Sequence, residues 1–231
     1  MTVPDPPHPT DATAVAQARP ASTVVVVDEQ NGEVAVLMVR RNTALQFYGG
    51  FWVFPGGVID AADGSDAMQA AAQAGCRELQ EEAGLRVTPS DLVYWAHWIT
   101  PSVLPRRYDT RFFIARQPLD QAPSVNDSEV TALSWLPLAV WTRVWEGGDF
   151  PVPFATQFVL RELAEALQQH GSLAAVLATA VARPVLTILP KALNDEVSVL
   201  PWDPHYEALP GHGWSWTPAQ TATRGHWPSR G

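Results

Sequence analysis

The chain has 231 residues, 46% of them hydrophobic, which is enough for one well-buried core with chain left over for an extension. Its 24 acidic and 15 basic side chains give a formal net charge of −9 with no basic stripe, which argues against a broad nucleic-acid surface. Cys76 is the only cysteine, which excludes an internal disulfide and a cysteine-only zinc site and points to a reducing compartment.

The start, MTVPDPPHPT, lacks the charged head and apolar run of a secretory signal. Residues 1–20 read as a loose Pro- and Ala-rich tail. Two β-branched runs follow, Ser22–Asp28 and Val34–Arg40, separated by Asn31-Gly32, a strong hairpin signal. Phe51–Phe54 is a further short apolar run that ends in Pro55-Gly56-Gly57. After an Asp-rich loop, a helix is expected over Ala67–Ala83, with Asp66 and Gln69 as a capping box and Gly84 in the left-handed position past its end. Ala72, Cys76, Leu79 and Ala83 fall on one buried stripe, so Cys76 reads as core filler rather than as a nucleophile.

Strands are expected at Leu92–Ile99, Arg111–Ala115 and Val130–Leu136, then helices at Pro137–Glu146, at Phe154–Gln169 and from a Ser172 cap to Ala182. The Phe154–Gln169 helix shows Phe154, Phe158, Val159, Leu163 and Leu167 on an apolar face, with Arg161, Glu162, Glu165 and Gln168 outside. It suits an acyl-chain groove or a homodimer face. Trp52, Trp95, Trp98 and Trp135 fall on strands as core. Trp202, Trp214, Trp216 and Trp227, with His205, His212 and His226, lie in a Pro/Trp-rich tail whose spacing fits no metal-ligand pattern. The most apolar stretch, Leu173–Leu189, is interrupted by Arg183 and Pro184, so no membrane span is expected and the chain reads as soluble and cytoplasmic. Strands mixed with two kinds of helix predict an α/β sandwich with a mixed sheet.

The informative segment is Arg77-Glu78-Leu79-Gln80-Glu81-Glu82-Ala83-Gly84-Leu85. On a helix Glu78, Glu81 and Glu82 share one face, and they crowd the negative end of the helix dipole. Like charges at this spacing cost about 0.2–0.5 kcal/mol per pair. Alone, such a turn is also what a solvated acidic face looks like. A hard cation such as Mg²⁺ or Mn²⁺ is the natural compensation, because carboxylate oxygens are its preferred ligands.

The flanking residues decide between these readings. With Phe54-Pro55-Gly56-Gly57 upstream and Gly84-Leu85 closing the helix, the segment resembles the Nudix box, whose second half is matched at every defined position of residues 77–85. Gly57 falls on the box's opening Gly, and Asp63 stands where the family has Glu. Thirteen residues, Gly64–Cys76, separate Asp63 from Arg77 where the usual box has seven; the six extra residues are read as a longer loop before the helix. The resemblance implies an α/β/α sandwich at residues 21–148; a helical extension at 149–200 and the tail at 201–231 lie outside it. It also implies hydrolysis of a small nucleoside-diphosphate derivative with Mg²⁺ or Mn²⁺. Glu81 and Glu82 would be metal ligands, Glu78 a ligand or general base, and Arg77 would orient a carboxylate. Gly57 and Gly84 would be backbone devices. Glu129, before the strand that ends near Trp135, is a further ligand candidate.

The box insertion and the run Trp98–Phe113 also look like the peroxisomal-type coenzyme A and acyl-coenzyme A diphosphatases. That branch implies release of 3′,5′-ADP and an (acyl-)phosphopantetheine. Arg40, Arg41, Arg106 and Arg107 would then meet the substrate phosphates. Gln46 and Asn42 depart from that branch's motif. An ADP-ribose, NADH or nucleotide-sugar pyrophosphatase is the alternative enzyme. A non-catalytic Nudix module is the alternative of another class, and the intact Glu78, Glu81 and Glu82 argue against it.

Overall fold

The computed structural model describes residues 15–30, 32–125, 128–147, 150–192, 198–204 and 206–208. The chain divides into two compact units. The larger takes in residues 21–96 and 110–185, the smaller residues 1–20, 97–109 and 186–231.

In the larger unit, β1 (Arg19–Gln30) and β2 (Glu33–Arg41) form the expected hairpin, with Gln30 opposite Glu33. Gly32 in the turn has φ 80°, a conformation that suits glycine; Asn31, the other half of that signal, lies outside the described residues. β3 (Trp52–Val53) pairs with β2, and so does β7 (Val130–Pro137). The order continues through β1 to β6 (Tyr108–Arg116) and β5 (Val93–Ile99). A strand not expected from the sequence, β4 (Gly56–Val58), pairs with β1 and sets Gly56 opposite Thr23 and Gly57 opposite Ser22.

Val24, Val25, Val26 and Val27 are all fully buried, so β1 is covered on both faces and cannot alternate apolar with polar. On one face α1 (Ala67–Ala83) packs Leu79 and Ala83 against Val24, Val26 and Leu37. Its Ala71 and Ala72 meet Phe113. Elsewhere in the unit α2 (Leu138–Gly147) is pinned by Trp141, whose Nε1 donates to the Val36 carbonyl at 3.2 Å and whose ring lies 5.9 Å from that of Trp52. Then come α3 (Phe154–His170) and α4 (Leu173–Ala180), the latter capped by Ser172 accepting from the Ala175 N–H. Trp52, Trp95 and Trp98 are buried, and Trp135 packs on the core.

Two expectations need correction. The six extra residues of the box are not a loop. Only Gly64–Asp66 separate the 3-10 turn Ala61–Asp63 from α1, and ten of the thirteen residues before Arg77 are helical, about 15 Å of helix. Glu162 is not on the outside of α3. Its side chain is 10% exposed and is paired with Arg183.

In the smaller unit, β1 opens at Arg19, inside the segment read as a tail, and the Arg19 N–H donates to the Arg107 carbonyl at 2.9 Å. β8 (Thr187–Ile188) pairs in parallel with His97–Trp98, which makes the sheet mixed. His97 Nδ1 is hydrogen-bonded to the Thr187 hydroxyl at 2.8 Å, and its Nε2 to Asp109. β9 (Lys191–Ala192) and β10 (Ser198–Val199) form a short antiparallel pair. Trp214, Trp216, Trp227, His205, His212 and His226 lie outside the described residues. No helix among the described residues is long and apolar enough to cross a membrane.

Candidate active site

The two ends of α1 are built by opposite rules. At its start the Asp66 side chain accepts from the Met68 and Gln69 N–H groups at 3.1 and 2.8 Å, the N-cap half of the expected capping box. At its end Gly84 takes φ 70°, and its N–H donates to the Gln80 carbonyl at 3.1 Å. Between them, the last turns carry the four charged residues of the motif.

Arg77 ties these together. Its Nε and Nη2 donate to the two carboxylate oxygens of Asp63 at 3.1 and 3.0 Å, a bidentate pair. Nη2 also reaches the Val58 carbonyl at 3.0 Å, while Nη1 donates to Glu78 at 2.8 Å and to Glu81 at 3.2 Å. The Arg77 hydrogen bonds hold the Asp63 carboxyl below the usual carboxylate range, and the Asp60 N–H adds to this at 2.8 Å. Asp63, whose role the altered box length leaves open, is therefore the anchor of Arg77.

Glu78 lies directly over Gly57. A Cβ on Gly57 would come within 2.4 Å of the Glu78 carboxylate, so only glycine lets strand and carboxylate approach this closely. Burial raises the Glu78 pKa, and Arg77 offsets part of the rise. Glu82 is 3% exposed, and its Oε2 accepts the Gly56 N–H at 2.9 Å. Its pKa is pushed up to about 8, first by burial; Glu78 and Glu129 raise it further, and the Gly56 N–H and Arg41 lower it. Glu81 is half-exposed and turned to Arg77. Glu129 is half-exposed, with Arg41 Nη2 at 3.3 Å.

Glu78, Glu81 and Glu82 thus reach different partners: Glu78 and Glu81 turn to Arg77, and Glu82 to the Gly56 N–H. Among the described residues no three His, Cys, Asp or Glu side chains are grouped closely enough to hold a metal ion. Two arginines neutralise the carboxylates instead. The donor set nevertheless fits a hard divalent cation: all-oxygen ligands, one of them buried, in mutual repulsion and oriented by backbone.

The four arginines expected to meet substrate are placed differently from one another. Arg41 stands among the carboxylates, its Nη1 3.9 Å from Glu82 Oε1. Arg40 is exposed, with Nε donating to the Gly50 carbonyl at 3.4 Å. Arg106 is exposed in the smaller unit. Arg107, also there, donates to the carbonyls of Thr100 at 3.0 Å and Ala16 at 2.7 Å, and its burial lowers its pKa. It is engaged with the framework of that unit. Cys76 is half-buried, and burial with the nearby Asp91 charge pushes its thiol up to about 11, so no thiolate is poised there. Sequence reasoning missed the Gly56 N–H on Glu82 and the meeting of Arg41 with Glu129. Both depend on strand pairing between distant segments.

A mixed sheet with helices, bearing an arginine-organised acidic helix end against a Gly-Gly strand, defines an α/β protein built around clustered carboxylates. The family model for the Nudix domain matches residues 18–151, which contain all of these carboxylates. A putative Nudix hydrolase 7 of Caenorhabditis elegans is 28% identical, over 44% of this chain and 46% of that protein. An m7GpppN-mRNA hydrolase of Xenopus laevis is 29% identical, over 59% of this chain and 48% of that protein. The chain thus spans about half the length of these curated relatives. The crystal structure of a Nudix hydrolase from Alicyclobacillus acidocaldarius superposes with a TM-score of 0.63 at 25% identity, covering 74% of this chain and all of that one. The chain belongs to the Nudix family, and it carries the domain found in proteins named as Nudix hydrolases.

Proposed function

We propose that the chain is a metal-dependent Nudix hydrolase that cleaves a small nucleoside-diphosphate derivative at its diphosphate. The observation that carries this reading is the buried Glu82, oriented by the Gly56 N–H, beside Glu78 over Gly57. Buried carboxylates in mutual repulsion cost stability and are retained where they serve chemistry. Glu78, Glu81 and Glu82, joined by Glu129, are the side chains that would hold the ion, Mg²⁺ or Mn²⁺. Bound there, such an ion would neutralise charge at the diphosphate and lower the pKa of water. Arg77, fixed by Asp63, holds Glu78 in place, and a box carboxylate takes the proton of the attacking water.

Coenzyme A or an acyl-coenzyme A is the preferred substrate, giving 3′,5′-ADP and (acyl-)phosphopantetheine. The extended box and the likeness of Trp98–Phe113 to that branch support it. A small substrate suits a chain of net charge −9 better than a long RNA, although a relative is named for capped mRNA. The test is incubation with Mg²⁺ or Mn²⁺ and, in parallel, coenzyme A, ADP-ribose and a cap dinucleotide, followed by chromatography of the products. Metal-dependent release of 3′,5′-ADP is expected. Cleavage of ADP-ribose or the cap with no attack on coenzyme A would refute the substrate assignment. No metal-dependent cleavage of any of them would refute the activity.

A further inference from the structure

Two consecutive arginines end β2, and the strand pairing sends them to different places. Arg40 is opposite Ala132 and Arg41 opposite Val130, so the register slips by one residue on β7 between them. Bulges of this kind re-aim side chains. Arg40 is left exposed, whereas the Arg41 side chain is only 17% exposed and faces Glu82 and Glu129.

We propose that Arg41 is an internal counter-ion, held between Glu82 and Glu129 until a divalent cation displaces it. This rests on the metal-dependent reading above. The contrast with Arg77 supports this. Arg77 makes four hydrogen bonds to its carboxylate partners Asp63, Glu78 and Glu81 at 2.8–3.2 Å, two of them a bidentate pair on Asp63. Arg41 closes tightly on neither partner: 3.9 Å to Glu82, 3.3 Å to Glu129, and 3.3 Å from Nε to the Phe47 carbonyl. Its position neutralises two carboxylates that repel each other, and it is held by one carboxylate hydrogen bond where Arg77 has four. The backbone does not have to move, because the Arg41 N–H donates to Phe51 at 2.9 Å and its carbonyl accepts from Gly50 at 3.0 Å. Only the side chain exchanges, one cation for another.

The full chain is titrated calorimetrically with Mn²⁺, without substrate, as wild type, Arg41→Met and Arg40→Met. Arg41→Met removes the competitor and should bind Mn²⁺ about fivefold more tightly, the scale set by loss of a part-buried ion pair. Arg40→Met removes the same charge one residue away and should shift affinity less than about twofold, since exposed charges are screened. Equal or weaker binding by Arg41→Met beside a binding wild type overturns the counter-ion role and leaves the metal reading standing. An equal gain in Arg40→Met reduces the effect to general charge and also overturns it. Absence of Mn²⁺ binding in all three overturns the metal reading and this inference together. Should Arg41→Met not fold, the wild type itself decides. The Arg41 Nε–H resonance should move on Mg²⁺ saturation, and an unmoved resonance rejects the exchange.

Discussion

Two glutamates of the larger unit are withdrawn from solvent, Glu82 fully and Glu162 largely, and their surroundings treat them in opposite ways. Glu162 on α3 receives a dedicated cation. Arg183 pairs with its Oε1, donates to the Trp95 carbonyl and stacks with its guanidinium carbon 4.5 Å from the Trp95 ring centre. Glu82 on α1 receives one backbone N–H and a guanidinium 3.9 Å away. Burial raises both, Glu162 to about 7 and Glu82 to about 8. A closed, stacked pair is what a framework builds around a charge it must hide. A carboxylate that is oriented but left under-neutralised is what a site builds around a charge it intends to use.

The strongest way to break this comparison is Glu82→Gln. Turnover should fall by about 10²–10⁴-fold, the scale of a lost catalytic carboxylate, in a steady-state assay on whichever substrate the panel identifies. The fold should gain. The Glu82 pKa is about 8 in the folded chain against an ordinary 4.5, so the native state holds the extra proton between those values. Its stabilising contribution is complete below pH 4.5 and is lost as pH rises through 8. Gln keeps an acceptor for the Gly56 N–H and cannot ionise. In metal-free buffer at pH 9 the variant should therefore be more stable than wild type, by roughly 2–5 kcal/mol in chemical denaturation, with little difference at pH 5. An inactive variant that is also less stable at pH 9 would make Glu82 a framework residue after all.

Arg183→Met tests the other side. Removing one partner of a fully buried pair costs about 3–5 kcal/mol, and this part-buried pair should lose somewhat less. The melting temperature should drop by about 2–4 °C for each kcal/mol in a chain of this size. The pH dependence is specific. In the wild type, the Glu162 contribution is present below pH 4.5, is lost as pH rises to about 7, and then stops changing. Without Arg183 the folded pKa of Glu162 rises further, so the variant goes on losing stability above pH 7. Its deficit should be larger at pH 8.5 than at pH 5, with turnover per folded molecule retained. A deficit independent of pH would assign the role of Arg183 to its contact with Trp95 alone.

The sequence announced these two glutamates unequally, for physical reasons. Both ends of α1 were legible because their signals are local: Asp66 three residues before Gln69, whose N–H it accepts, and Gly84 at the left-handed stop. The Ser172 cap of α4 was legible in the same way. Glu78, Glu81 and Glu82 stood out because they violate a local rule. Glu162 violates none. By helical period it belongs to an outer face, and its partner Arg183 lies 21 residues further on, beyond α4. β4 was hidden because two glycines carry no strand propensity and are strand only through pairing with Thr23 and Ser22. Ala67–Cys76, rich in alanine, the strongest helix former, was legible as helix; what was overestimated is the loop before it, which is only Gly64–Asp66.

The smallest effect sharpens the comparison on a single helix. Asp66 is also a carboxylate of α1, exposed and spent wholly on two backbone N–H groups. Asp66→Ala should cost about 1 kcal/mol, the usual value of a lost N-cap, read as a fall of about 2–4 °C in thermal unfolding. Turnover should change by less than about twofold, because Arg77 lies roughly 16 Å further along the helix axis and the charged turn has its own anchors. Those anchors are Asp63 on Arg77 and the Gly56 N–H on Glu82. If turnover fell tenfold while stability moved by only this much, the two ends of α1 would not be independent. The short link Gly64–Asp66 would then carry the loosened cap to Asp63, and the division between framework and working carboxylates would run through the helix rather than between helices.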